Sequence, residues 1–355
     1  MKFVSTRNHS DSVCFTEAMF RGLAPDGGLY RPDSIPDLSG FFASLSDEVP
    51  FNDLAAGLTS ALLGPEISRE TAENIIRDAF DFSPEIRNVS ENMYVLELFH
   101  GPSCAFKDFG ASFLASSMNH LLSESSVKIS GRSKDSRAII VTATSGDTGS
   151  AVARAFHGKN RIDVVILYPS GRVSPLQEKQ LTTLGGNVTA LEVDGNFDDC
   201  QRMAKAAFTD PALEKLPLSS ANSINLGRLI PQSFYYIWAW TRMRSRVPKG
   251  EFAFIVPSGN FGNITAGLYA RSWGLPVKHF VAVTNANDVV PEYLKTGLYK
   301  PRHSQATCSN AMDVGDPSNF ERLDDLYENS VDIFRNHIDA YAVDDKTTLS
   351  TISRV

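Results

Sequence analysis

The chain has 355 residues, of which 42% are hydrophobic and 21% charged, with 34 basic against 41 acidic side chains. At about 150 residues per domain this suits two or three domains of globular and not disordered composition. The net charge of −7 argues against a general nucleic-acid binder, and the longest apolar run, residues 234–240, falls short of the ~20 residues that a membrane span needs.

Residues 1–92 carry glycine- and proline-rich turns at 24–28 and 31–33, then helical periodicity over 51–63 and a helix over 69–80 capped by Ser68. This is the pattern of a mainly helical N-terminal domain. From Met93 the rhythm changes to short β-rich runs alternating with helix-length amphipathic segments. Strands are expected at 94–98, 138–142, 163–168, 188–193, 252–256 and 279–283. Helices are expected at 108–122, 148–156, 175–184, 198–208, 229–244 and 263–273. In the third of these helices Ser174 is the N-cap, Pro175 the first helical residue and Gln177 the third, and Gly185 and Gly186 end it. The aromatic stretch 234–240 reads as core packing. Strand and helix in alternation predict an α/β fold with mainly parallel sheets and helices on both faces, and such folds bind ligands at the carboxyl ends of their strands.

The four cysteines, Cys14, Cys104, Cys200 and Cys308, include no C-x-x-C pair, and the seven histidines form no H-E-x-x-H cluster, so neither a disulfide framework nor a metal site is expected. The N-terminal sequence MKFVSTRNHSDS lacks the apolar core of a secretory signal, and a cytoplasmic setting is expected.

Four segments carry the polar chemistry. The turn 143–149 (ATSGDTG) places the hydroxyls of Thr144, Ser145 and Thr148 at a helix start, which suits a carboxylate or phosphate and equally a plain capped helix. The turn 257–263 (PSGNFGN) has glycines that let backbone N–H groups approach an anion closely, and it matches neither a dinucleotide fingerprint nor a Walker motif. The segment 220–228 (SANSINLGR) sets amides and a hydroxyl beside Arg228, a set that can clamp a phosphate or form an ordinary polar loop. Finally, Lys107 stands between Phe106 and Asp108-Phe109, just after a strand. A desolvated lysine becomes a Schiff-base nucleophile, while an interfacial lysine merely packs its stem.

In chain order FTEAMFRGLAPDGGLY (15–30), LELFHGPSCAFKDFG (96–110), TATSGDTGSAVA, ILYPSGRVSPLQEKQ, SANSINLGR, VPSGNFGN and SNAMDV resemble the threonine synthase family, in its microbial and fungal branch. The resemblance implies a fold type II pyridoxal-phosphate enzyme, similar to the tryptophan synthase β-subunit. It implies a helical N-terminal domain (1–92), a large cofactor-binding α/β domain (93–116 and 218–355) and a small α/β domain (117–217), with the cofactor between the two α/β domains. Lys107 is then the catalytic, Schiff-base lysine. Gly259, Asn260, Phe261, Gly262 and Asn263 hold the cofactor phosphate, and Asp147 faces the cofactor's 3′-oxygen. Thr144, Ser145 and Thr148 take the substrate α-carboxylate, and Asn222, Ser223 and Arg228 its phosphate. The implied reaction turns O-phospho-L-homoserine and water into L-threonine and phosphate by γ-elimination and β-addition. The implied protein is a monomer acting on a small molecule, with no nucleic-acid or membrane partner. The family pattern also implies several dozen residues after Val355, including a Ser/Thr for the pyridine nitrogen, and no residue of this sequence is given that role. Two other outcomes share the same residues: a phospho-lyase releasing 2-oxobutyrate and ammonia, and a cofactor-binding protein inactive through a shortened C-terminus.

Overall fold

The computed structural model describes residues 1–123, 137–247 and 252–354. The chain begins with β1 (Phe3–Ser5), α1 (Phe15–Arg21), β2 (Tyr30–Pro32), α2 (Ser39–Ser44), α3 (Phe51–Leu63), α4 (Arg69–Ala79), β3 (Glu85–Ser90) and β4 (Met93–Glu97). It continues with α5 (Lys107–Ser123), β5 (Ala138–Ala143), α6 (Asp147–Phe156), β6 (Ile162–Pro169), α7 (Pro175–Thr182), β7 (Val188–Val193), α8 (Phe197–Thr209), β8 (Leu218–Ser220), α9 (Leu226–Leu229) and α10 (Gln232–Met243). The last elements are β9 (Ala253–Pro257), α11 (Gly262–Ser272), β10 (His279–Thr284), α12 (Val289–Thr296), α13 (Phe320–Leu326), α14 (Val331–Arg335), β11 (Ile338–Ala342) and α15 (Asp345–Ile352). Two compact units result: Met1–Ser34 with Val49–Ala239, and Ile35–Glu48 with Trp240–Val355.

The first unit is built on a four-stranded parallel sheet in the order β7-β6-β5-β8. β5 and β6 run in register from Ala138 opposite Ile162 to Ala143 opposite Leu167, so their carboxyl ends lie side by side. On one face α8 packs Cys200 and Ala204 against Val141, Ala143 and Leu167. A reciprocal capping box between Asn196 and Asp199 fixes the start of α8. α5 is anchored by Phe109, whose ring lies 5.0 to 5.8 Å from those of Phe51, Phe80, Phe82 and Tyr235, mostly edge-on, the arrangement that favours aromatic pairs.

Two expectations change in this unit. The strand expected at 94–98 does not join the parallel sheet; as β4 it pairs antiparallel with β3. The polar alternation of β3 (EIRNVS) hides it, because both of its faces are largely exposed. On this hairpin Glu85, Glu97 and His100 bring ligand-type atoms within 4.8 Å of one another. Arg87 pairs with both carboxylates and neutralises charge that a cation would need. The helix expected over 229–244 is two helices, α9 and α10, because Pro231 lacks an N–H donor and its ring crowds the preceding turn. β8 is too short for its alternation to be read, and only its pairing with β5 defines it. The stretch 234–240 is buried throughout, as expected of core packing.

The second unit carries a three-stranded parallel sheet, β11-β10-β9. Phe254 of β9 stacks on Phe280 of β10 at 5.5 Å, and α11 buries Ile264, Leu268 and Tyr269. The α12–α14 region packs Tyr293, Phe320 and Phe334 together. β11 was not foreseen from sequence: IDAYA shows one buried residue at its start and little apolar pattern after it. Among the described residues no helix is long and apolar enough to cross a membrane.

Candidate active site

Lys107 is the first residue of α5 and Asp147 the first of α6. Nζ of Lys107 donates to Oδ2 of Asp147 at 3.0 Å and stands 5.2 Å from the centre of the Phe106 ring. Oδ1 of the same carboxylate accepts from Nε2 of Gln177 at 2.6 Å. Gln177 is placed by the start of α7, where the Ser174 hydroxyl accepts from its backbone N–H at 3.3 Å. The expected N-cap is therefore present, while the glutamine amide reaches across to α6. Gly146 makes this approach possible: its φ is 148°, and a Cβ there would lie 2.6 Å from the Gln177 amide.

Burial pushes the Lys107 ammonium below its ordinary pKa, against the pull of Asp147 and with the help of the nearby Arg228 charge. Burial acts to raise Asp147, but the Lys107 charge and the hydrogen bonds from Lys107 and Gln177 outweigh it and hold the carboxyl below its ordinary value. A largely desolvated amine is thus held against an ionised carboxylate.

The loop after β5 is shaped by Thr144, whose buried hydroxyl accepts from the N–H of Gly146 (3.0 Å) and of Gly149 (2.8 Å). Its oxygen is engaged with its own loop. Ser145 is exposed and Thr148 half-buried at the same helix start. Asn222 pairs through its amide with both backbone groups of Ala143, which prolongs the β5–β8 ladder by side chain. Ser223 follows it, half-buried. Arg228 lies beneath this segment, 2% exposed, and its Nη1 donates to the Ala221 carbonyl at 2.7 Å. Its Nε meets no acceptor among the described residues, and burial lowers its pKa to about 10. Gly110 of α5 lets this arginine settle, since a Cβ there would come 2.8 Å from the Arg228 carbonyl.

Two buried groups that the sequence did not flag complete this side. Asp108 accepts from both the N–H (2.9 Å) and the hydroxyl (2.6 Å) of Ser103, and its charge interacts with that of Arg228. Asn225 caps α9 and ties the segment to α1 through the Met19 carbonyl at 2.9 Å. Gln177 is the third addition. Its contact follows only from the pairing of β5 with β6, which sets the turns after those strands side by side.

In the second unit, the loop between β9 and α11 turns at Phe261, which is buried with φ 60°. The Asn260 carbonyl accepts from the N–H (3.2 Å) and side chain (3.1 Å) of Asn319, which in turn accepts from the buried Arg322 at 2.6 Å. Gly259 lies against the 309–314 segment, where a Cβ would come 3.0 Å from the Met312 Cα. The N–H groups of Gly259, Asn260 and Phe261 meet no acceptor among the described residues, and Gly262 and Asn263 begin α11 directly after them. Free backbone N–H groups at a helix start are a geometry that can cradle an anion.

Comparison with known proteins agrees with this chemistry. Residues 81–355 match the model for "Pyridoxal-phosphate dependent enzyme", and residues 2–80 match "Threonine synthase N terminus". The chain belongs to the threonine synthase family of pyridoxal-phosphate-dependent enzymes. It is 43% identical to the threonine synthase of Escherichia coli over 99% of this chain and 79% of that protein. The crystal structure of the E. coli threonine synthase superposes with a TM-score of 0.90 at 42% identity, covering 100% of this chain and 80% of that one. The pyridoxal-phosphate-bound threonine synthase of Brucella melitensis gives 0.90 at 35% identity, with 100% and 81% covered. The fold is accordingly the fold type II α/β architecture expected from the sequence. The residues present fit the cofactor on two independent counts: a desolvated lysine with a lowered pKa, and a loop whose N–H groups at 259–261 meet no acceptor among the described residues and could take a phosphate.

Proposed function

We propose that the chain converts O-phospho-L-homoserine and water into L-threonine and inorganic phosphate, as a cytoplasmic monomer that uses pyridoxal 5′-phosphate. The observation that carries this reading is the match to threonine synthases over nearly the whole chain, at 43% identity to the E. coli protein. The Lys107–Asp147 contact supports it from the side of chemistry.

Lys107 and Asp147 would hold the cofactor's reactive end, and Gly259, Asn260, Phe261, Gly262 and Asn263 would hold its phosphate. Bound pyridoxal phosphate supplies an electron-poor ring that accepts the electron pair left when a proton departs from Cα. Lys107, deprotonated more readily than an exposed lysine, takes that proton on Nζ and later returns one to the same carbon. Asp147 stays ionised and orients Nζ. Ser145 and Thr148 bind the substrate carboxylate at the start of α6, in a loop whose shape Thr144 maintains. Asn222, Ser223 and Arg228 take the substrate phosphate. Arg228 does so from beneath the loop, where its buried charge stabilises the anion that leaves Cγ. A second proton, lost from Cβ, lets the phosphate depart from Cγ; a proton is then delivered to Cγ, and water adds at Cβ.

Incubation with O-phospho-L-homoserine tests this directly. Threonine and phosphate in equal amounts are expected. Oxobutyrate and ammonia in place of threonine would instead identify a phospho-lyase. A yellow protein that leaves the substrate intact would identify a cofactor-binding protein without this activity.

A further inference from the structure

Three helix starts meet at one contact. Lys107 opens α5, Asp147 opens α6, and Gln177 is the third residue of α7. Their backbone N–H groups and helix dipoles create a positive field at this point, which favours a carboxylate and disfavours an ammonium. The carboxylate between them has its two oxygens divided, Oδ2 to Nζ of Lys107 at 3.0 Å and Oδ1 to Nε2 of Gln177 at 2.6 Å. The Gln177 side chain is held at its other end, because its Oε1 accepts from the Ser174 hydroxyl at 3.0 Å. That bond fixes which amide atom faces Asp147, so the donor and not the acceptor is presented to the carboxylate.

We propose that Gln177 is a positioning residue for the reaction: its amide N–H holds the Asp147 carboxylate in one orientation and draws off part of its negative charge, which keeps the Lys107 amine easier to deprotonate. The charged groups facing Lys107 are Asp147 from α6, Asp108 from α5 and Arg228 from α9. Those acting on Asp147 are Lys107 and the Gln177 amide. Gln177 is the neutral member of this set, so replacing it by a charged or apolar side chain alters the electrostatics without deleting a charge. Removing the donor leaves more negative charge on Asp147, stabilises the Lys107 ammonium and raises its pKa. A glutamate at this position adds a second negative charge and raises it further. Below its own pKa that glutamate is protonated and donates as the glutamine amide does.

The proposal rests on Lys107 being the cofactor-binding lysine, and the experiment separates the two. The protein, freed of cofactor, is labelled with trace acetic anhydride across a pH series, and peptide mapping gives the midpoint for Lys107. The Lys107 midpoint is expected to rise in the order wild type, Gln177→Leu, Gln177→Glu, with the last at least about one pH unit above the first. The loaded Gln177→Glu protein should also retain activity at acid pH and lose it relative to wild type as pH rises. Unchanged midpoints in either folded variant would overturn the role of Gln177, whatever happens to turnover, and so would midpoints that fall. Borohydride reduction of the wild type with pyridoxal phosphate that labels a lysine other than Lys107 would overturn the underlying assignment instead.

Discussion

Nζ of Lys107 and Oδ2 of Asp147 stand 3.0 Å apart, an amine and a carboxylate each set at the first residue of its own helix. In the proposed function, replacing Lys107 by alanine would remove both the covalent anchor and the base. Turnover of Lys107→Ala is expected to fall by about a thousandfold or more. Borohydride should no longer attach cofactor to this peptide, while far-ultraviolet circular dichroism stays that of the wild type. Retained turnover would refute the assignment.

The same contact predicts a pH dependence of stability. The Asp147 carboxyl is more acidic folded than unfolded. Its contribution is complete above the unfolded value of about 3.9 and is lost as pH falls through the lower folded value. The Lys107 ammonium is lowered on folding, so between its folded value and about 10.4 the unfolded chain binds more protons and stability rises with pH. Urea midpoints measured across pH should therefore vary less in Asp147→Asn at the acid end and less in Lys107→Met at the alkaline end. Curves parallel to wild type at both ends would contradict these shifts.

Arg228 is expected to matter for stability as well as for substrate. Arg228→Ala leaves the Ala221 carbonyl without its partner and the buried Asp108 without a compensating charge. A loss of about 2–4 kcal/mol in urea denaturation is expected, together with a raised KM for O-phospho-L-homoserine. A variant of wild-type stability would show that Asp108 is compensated by other groups.

Gly259 tests the phosphate cradle. A Cβ at this position meets main-chain atoms of the 309–314 segment, which cannot swing aside as a side chain can. Gly259→Ala is expected to weaken pyridoxal phosphate binding about tenfold or more, read by cofactor titration of the apoprotein. Asn319→Ala should weaken it too, because Asn319 holds the Asn260 carbonyl through both its backbone and side chain. Wild-type affinity in both variants would remove this loop from the cofactor site.

The parallel sheet was legible because β5, β6 and β7 are runs rich in Val and Ile set between helix-length segments. β8 and β11 were not legible, since their residues carry little apolar alternation and long-range pairing alone makes them strands. Lys107 stood out through its aromatic neighbours. Thr144 and Asn222 were legible as polar residues but not in their roles, because whether a hydroxyl or amide faces a ligand or its own backbone depends on the folded loop. Gln177 was masked by its position three residues after a serine, where local capping accounts for it. Its contact with Asp147 crosses from one strand-to-helix turn to the next, and only the pairing of β5 with β6 brings those turns together.

The ring cluster around Phe109 has a consequence for how defects will present. Phe51, Phe80 and Phe82 touch no reacting group, yet they fix the helix that begins two residues before Phe109. The aim of the Lys107 amine is therefore encoded partly in a segment with no chemistry of its own. A small change of ring shape there will surface as slowed turnover with cofactor still bound, and will mimic a lesion at the reaction centre.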